Sequence, residues 1–91
     1  MKLTDKEIEV LEAFDYVLTY YTHGEGITAK YDIWSCWIGE NTKTLKGKSL
    51  SGVMSSLAKK GLIECYFDEG DTTFVTELGV ETFKELKGTN K

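Results

Sequence analysis

The 91-residue chain has no proline and no arginine, a single histidine and two cysteines. Without proline, no helix or strand is broken or capped by a locked φ. Without arginine, the planar fork that grips carboxylate, phosphate or guanine through two parallel bonds is missing, and all 11 basic residues are lysine. Cys36 and Cys65 have no CxxC spacing and read as two buried, reduced thiols rather than a disulfide or a metal site. His23 stands alone in a glycine-flanked loop, with no partners at ligand spacing, so no metal site is expected. No apolar run approaches the roughly 20 residues that span a bilayer. No apolar stretch follows Met1-Lys2-Leu3-Thr4-Asp5 in the manner of a secretory signal, so a cytoplasmic protein away from the membrane is expected.

Catalytic constellations are missing too. Gly24-Glu25-Gly26 lacks the Lys-Ser/Thr pair and the long preceding strand of a phosphate-binding loop. Thr4, Asp5, Glu7 and Glu9 form a capped helix start, not a paired-carboxylate site. No nucleophile lies near a base in any recognisable pattern, so the expectation is a non-enzyme with no catalytic residue and no cofactor.

What is present is an uneven charge. The net charge is −4, yet residues 41–63 hold five lysines and no acid. Residues 1–40 hold three lysines against eight acids, and residues 64–91 three against seven. One basic block between two acidic ones suggests a surface that faces a polyanion.

The hydrophobic pattern gives an element order. Thr4-Asp5-Lys6-Glu7 is a capping box, followed by Ile8, Leu11, Phe14, Val17 or Leu18 and Tyr21 at helical spacing, with Glu9, Glu12 and Asp15 on the opposite face. The helix should end near Tyr21-Thr22. Ile27 reads as a short strand and Thr28 as the N-cap of a second helix, with an apolar stripe of Ala29, Ile33, Trp34, Trp37 and Ile38 and a C-cap at Gly39. Trp34 and Trp37 read mainly as core packing of this helix, but two indoles are a large load for a small core, leaving one to be partly exposed. Asn41 to Gly47 reads as a polar loop. Ser49 caps a third helix, about residues 49–60, with Leu50, Val53, Met54 and Leu57 inward and Gly61 at its end. Leu62–Phe67 and Thr72–Val75, joined by Asp68-Glu69-Gly70-Asp71, read as a hairpin. Thr76 starts a last helix, with Leu78, Val80, Phe83 and Leu86 inward, and residues 86–91 read as a flexible tail. The expectation is one domain over residues 1–91, α+β and mostly helical.

Two segments carry a resemblance. Leu50-Ser51-Gly52-Val53-Met54-Ser55-Ser56-Leu57-Ala58-Lys59-Lys60-Gly61-Leu62-Ile63 is similar to a recognition helix running through L-x-x-x-G-L-I into a wing strand. Val75-Thr76-Glu77-Leu78-Gly79 is similar to the L-T-x-x-G that leads from wing to C-terminal helix. On these residues the chain resembles the winged-helix superfamily, most closely the MarR/PadR-like bacterial regulators. Element order extends the resemblance over roughly residues 4–87, while the specific part is residues 50–79. It implies a winged helix-turn-helix: a three-helix core, a two-stranded wing and a C-terminal helix.

The resemblance further implies that the third helix lies in the major groove of duplex DNA. The groove-facing set would be Lys48, Ser49, Ser51, Gly52, Ser55, Ser56 and Lys59, with Lys43 and Lys46 meeting phosphates. The chain departs from the family pattern in three ways. The wing tip is acidic and repels phosphates. The connection from Gly39 to Lys48 is longer than a tight helix-turn-helix turn. The absence of arginine removes the bidentate contact to guanine, so selectivity should be modest or come through DNA shape.

The leading expectation is therefore a small DNA-binding transcriptional regulator, homodimeric through its N- and C-terminal helices. The alternative is a protein-interaction module, of the kind found in phage and mobile elements, docking a basic partner on its acidic wing and flanks without binding DNA. A third reading is a ligand-responsive regulator with a pocket lined by Tyr31, Trp34 and Trp37.

Overall fold

The computed structural model describes residues 3–42, 45, 47–66 and 72–88. Helix α1 covers Asp5–Tyr21, strand β1 Ile33–Trp34, helix α2 Ser35–Asn41, helix α3 Gly47–Lys59, strands β2 and β3 Ile63–Tyr66 and Thr72–Val75, and helix α4 Glu77–Gly88. The described part is α+β and mostly helical. The strands form one antiparallel sheet in the order β1-β3-β2, with Ile33 opposite Thr73, Trp34 opposite Thr72 and Ile63 opposite Val75. No helix among the described residues is long and apolar enough to cross a membrane.

Helix α1 starts as its sequence requires. The Thr4 hydroxyl accepts from the Glu7 amide at 3.1 Å, and the Glu7 carboxylate accepts from the Thr4 amide at 2.9 Å. Its inner stripe, Val10, Leu11, Phe14, Val17 and Leu18, is the centre of the core. Tyr21 lies outside that stripe and is about half exposed. The helix ends in a left-handed turn at His23, with φ +60, and the Gly24 amide reaches back to the Thr19 carbonyl at 2.8 Å.

The stretch after α1 differs from the expectation. Thr28 caps no helix; its hydroxyl accepts from the Lys30 amide at 3.4 Å, a local turn. The chain stays irregular until Ile33 and Trp34 pair with β3, so these two lie on a strand and the second helix begins only at Ser35. Burial of Ile33 against the sheet overrides the helical spacing it shares with Trp37. The loop is held by Asp15, whose carboxylate accepts from the Ile27 amide at 2.9 Å instead of standing in solvent. Gly39 lies inside α2, not at its end, and faces the Leu50 side chain of α3. Cys36 is exposed and Cys65 half-buried, so neither is the buried thiol expected.

The link from α2 to α3 is also less polar than its composition suggests. Leu45 is fully buried, and the buried Thr42 hydroxyl lies within hydrogen-bond distance of the Gly39 and Leu45 carbonyls, at 3.2 and 2.9 Å. Helix α3 begins at Gly47, two residues before the expected Ser49.

The two motifs that carried the resemblance pack on each other. Gly61, at φ +79, closes α3: its amide donates to the Ala58 carbonyl and the Leu62 amide to the Leu57 carbonyl, both at 3.0 Å. The Thr76 amide donates to the Leu62 carbonyl at 3.0 Å, and its hydroxyl donates to the Gly61 carbonyl at 2.6 Å while accepting from the Gly79 amide at 3.1 Å. Gly79 presses so close that an added Cβ would sit 2.1 Å from the Leu62 carbonyl oxygen. Helix α4 buries Phe83 and partly Val80, but leaves Leu78 and Leu86 45% and 41% exposed. It runs to Gly88, three residues into the stretch expected to be tail, and Lys87 reaches Glu12 of α1.

Candidate nucleic-acid interface

Helix α3 has two unlike sides. Met54 and Leu57 are buried in the core, and Leu50 and Val53 are half-buried against it. At about 100° per residue, Lys48, Gly52, Ser55 and Lys59 fall along one ridge and Ser51 on its flank. All five are exposed, as is Ser49. The ridge carries no carboxylate, and Lys48 and Lys59 form no ion pair among the described residues. Lys48 and Lys59 lie near opposite ends of the helix, about 16 Å apart along its axis at 1.5 Å per residue. An added Cβ at Gly52 would meet nothing within 4 Å. The centre of the ridge is therefore low, flanked by short hydroxyls, with a cation at each end.

Ser56 does not join this surface. It lies about 80° around the helix from Lys48, is half-buried, and donates its hydroxyl to the Glu7 carboxylate at 2.6 Å. That rotation was readable from the helical wheel; its partner was not. Lys43 and Lys46, expected at phosphates, lie outside the described residues, as does the acidic wing tip.

Glu7, legible in the sequence only as half of a capping box, has a tertiary role as well. It is 2% exposed, and the Lys60 ammonium sits 2.7 and 2.8 Å from its two oxygens. Burial opposes its charge. Hydrogen bonds from Lys60, Ser56 and the Thr4 amide, together with the Lys60 charge, outweigh that and hold the carboxyl down to about 2. The cluster joins the first turn of α1 to the end of α3 and fixes the pitch at which α3 presents its ridge. Lys60 is therefore half-buried and committed to Glu7, although by sequence it is part of the basic block.

The aromatic residues do not assemble as expected. Tyr31 and Trp37 meet through Tyr21, at centroid distances of 5.6 and 6.3 Å, whereas Trp34 stands apart on the sheet. Beside them an open groove of about 760 Å³ runs along Tyr16, Tyr20, Tyr21, His23, Trp37 and Asn41. Tyr16 and Tyr20 are 66% and 83% exposed. Among the described residues there is no group of three or more potential metal ligands. Comparison with protein-family models, with curated proteins and with solved structures gives no match for this chain.

Proposed function

We propose that the chain is a winged-helix domain of MarR/PadR-like type, a small transcriptional regulator that reads duplex DNA with α3 in the cytoplasm. The observation that carries this reading is the exposed, carboxylate-free ridge of Lys48, Ser51, Gly52, Ser55 and Lys59. A helix with a low centre and small hydroxyl donors enters the major groove closely, and its two lysines meet phosphates at the groove edges. The strand order β1-β3-β2 behind α3 and the Gly61–Thr76–Gly79 junction support the winged-helix assignment. Ser49 is exposed at the start of α3 but lies about 100° around the helix from Lys48, off the ridge, and in this reading Lys43 and Lys46 add phosphate contacts. Two copies joined through α1 and α4 would present two such helices, and the exposed Tyr16, Tyr20 and Leu86 offer apolar area for that contact.

The test is an anisotropy titration of the protein against random-sequence duplex DNA at low and at physiological salt. Binding at low salt that weakens as salt rises supports the reading; no binding at low salt sinks it.

A further inference from the structure

The sheet has a second face, turned away from the core. Residues paired directly across antiparallel strands point to the same side. Trp34, Thr72 and Tyr66 therefore form one rung across all three strands, and Phe74 with Glu64 forms the next on the same side. Ile33, Thr73 and Cys65 face inward on the alternate rung. Trp34 and Tyr66 are 48% and 47% exposed. Tyr66 stacks on Phe74 with centroids 5.7 Å apart. The small Thr72 lies between Trp34 and Tyr66, whose backbones are two strand spacings, about 10 Å, apart.

Carboxylates edge this aromatic platform. Glu64 accepts the Tyr66 hydroxyl at 3.0 Å. Asp32, exposed, directly precedes β1. The phenol of Tyr66 is pushed up by the hydrogen bond to Glu64, with burial and the charges of Glu64 and Asp32 adding to it. Past Phe74 a shallow groove of about 590 Å³ continues to Glu77 and the exposed Leu78. Lys30, also on this groove, lies 3.9 Å from Glu25.

Stacking rings with acids beside them are wrong for a phosphate backbone and right for a cation with a flat face. We propose that this outer sheet face docks a basic, arginine-bearing segment of another protein. A guanidinium lies between Trp34 and Tyr66 over Thr72, Glu64 and Asp32 neutralise it, and a neighbouring apolar side chain of the segment rests on Leu78. The occupant is not a second copy of this chain, because the chain has no arginine to supply. The site uses no residue of the α3 ridge, so it stands or falls separately from DNA binding.

The experiment is an amide and indole NMR titration of the full chain with a short Arg-Gly repeat peptide, with Lys-Gly and Glu-Gly repeats for comparison. The Trp34 indole and the amides of β2 and β3 should shift, and the Arg peptide should bind more tightly than the Lys peptide. Trp34→Ala and Glu64→Lys, both at exposed positions, should each weaken binding roughly tenfold while keeping the dispersed spectrum of the folded chain. Lys48→Ala should leave peptide binding unchanged. The proposal is overturned by an absence of shifts, by shifts confined to the Tyr16–Tyr20 groove, by equal binding of the two basic peptides, or by unchanged affinity in both sheet variants.

Discussion

At the scale of single residues, Glu7 does the most. Its carboxyl is both the return half of the α1 capping box and the acceptor for Ser56 and Lys60. Its folded value of about 2 lies below the ordinary 4.5. The stabilisation is therefore complete above the unfolded value and is lost as pH falls from there toward about 2. The shift corresponds to about 3 kcal/mol. Denaturant unfolding at neutral pH and near pH 3 should show wild type losing more stability on acidification than Glu7→Gln. Equal losses would contradict the role given to Glu7. At neutral pH, Glu7→Ala should cost up to about 3 kcal/mol, because it removes the shared acceptor of Ser56 and the part-exposed Lys60 together with half of the capping box. The capping half of this was legible, since Thr4 and Glu7 stand at the right spacing. The tertiary half was not, because Lys60 is distant in sequence and only the packing of α3 on α1 brings it close. Asp15 teaches the same lesson: on a helical wheel it is a solvent-facing acid, yet its carboxylate receives the Ile27 amide.

Elements were legible where local signals agreed and illegible where a long-range contact decided. Helices α1 and α3 and the hairpin follow from caps, periodicity and the glycine at 61. Strand β1 did not, because two residues carry no periodicity and only their pairing with Thr72 and Thr73 makes them a strand. Leu45 was hidden among polar neighbours and became core because the connection folds inward at Thr42. Leu78 and Leu86 keep helical spacing but sit on a helix that has only one packed side. Two glycines give opposite predictions. Gly79→Ala drives a methyl into the Leu62 carbonyl and the Val75 side chain, and should cost at least ~2 kcal/mol. Gly52→Ala fills open space on a helix interior and should stabilise by up to ~1 kcal/mol. Denaturation midpoints of the two variants check both. A tolerated Gly79→Ala would mean that α4 does not pack on Leu62 as described.

For the whole molecule, the segregation of charge is the main functional signal, and the structure sharpens it. Of the five lysines in the basic block, Lys60 is committed to Glu7, whereas Lys48 and Lys59 stand on the exposed ridge. The exposed ridge was readable from composition and the α3 wheel, except that Ser56 turns inward; Lys43 and Lys46 lie outside the described residues. The proposed dimer belongs to this scale as well. Sedimentation equilibrium should find a dimer for wild type and a monomer for the Tyr16→Glu, Tyr20→Glu double variant. A wild-type monomer would remove the paired-helix geometry while leaving the single ridge intact.

The most direct measurement of the central claim is the slope of log affinity against log salt for duplex DNA, in wild type and in the Lys48→Ala, Lys59→Ala double variant. Each phosphate contact contributes about 0.9 to that slope. If α3 lies along the groove with both lysines on phosphates, the variant's slope should be shallower by about 1.8. An identical slope in the two proteins would contradict the assignment of this ridge to DNA.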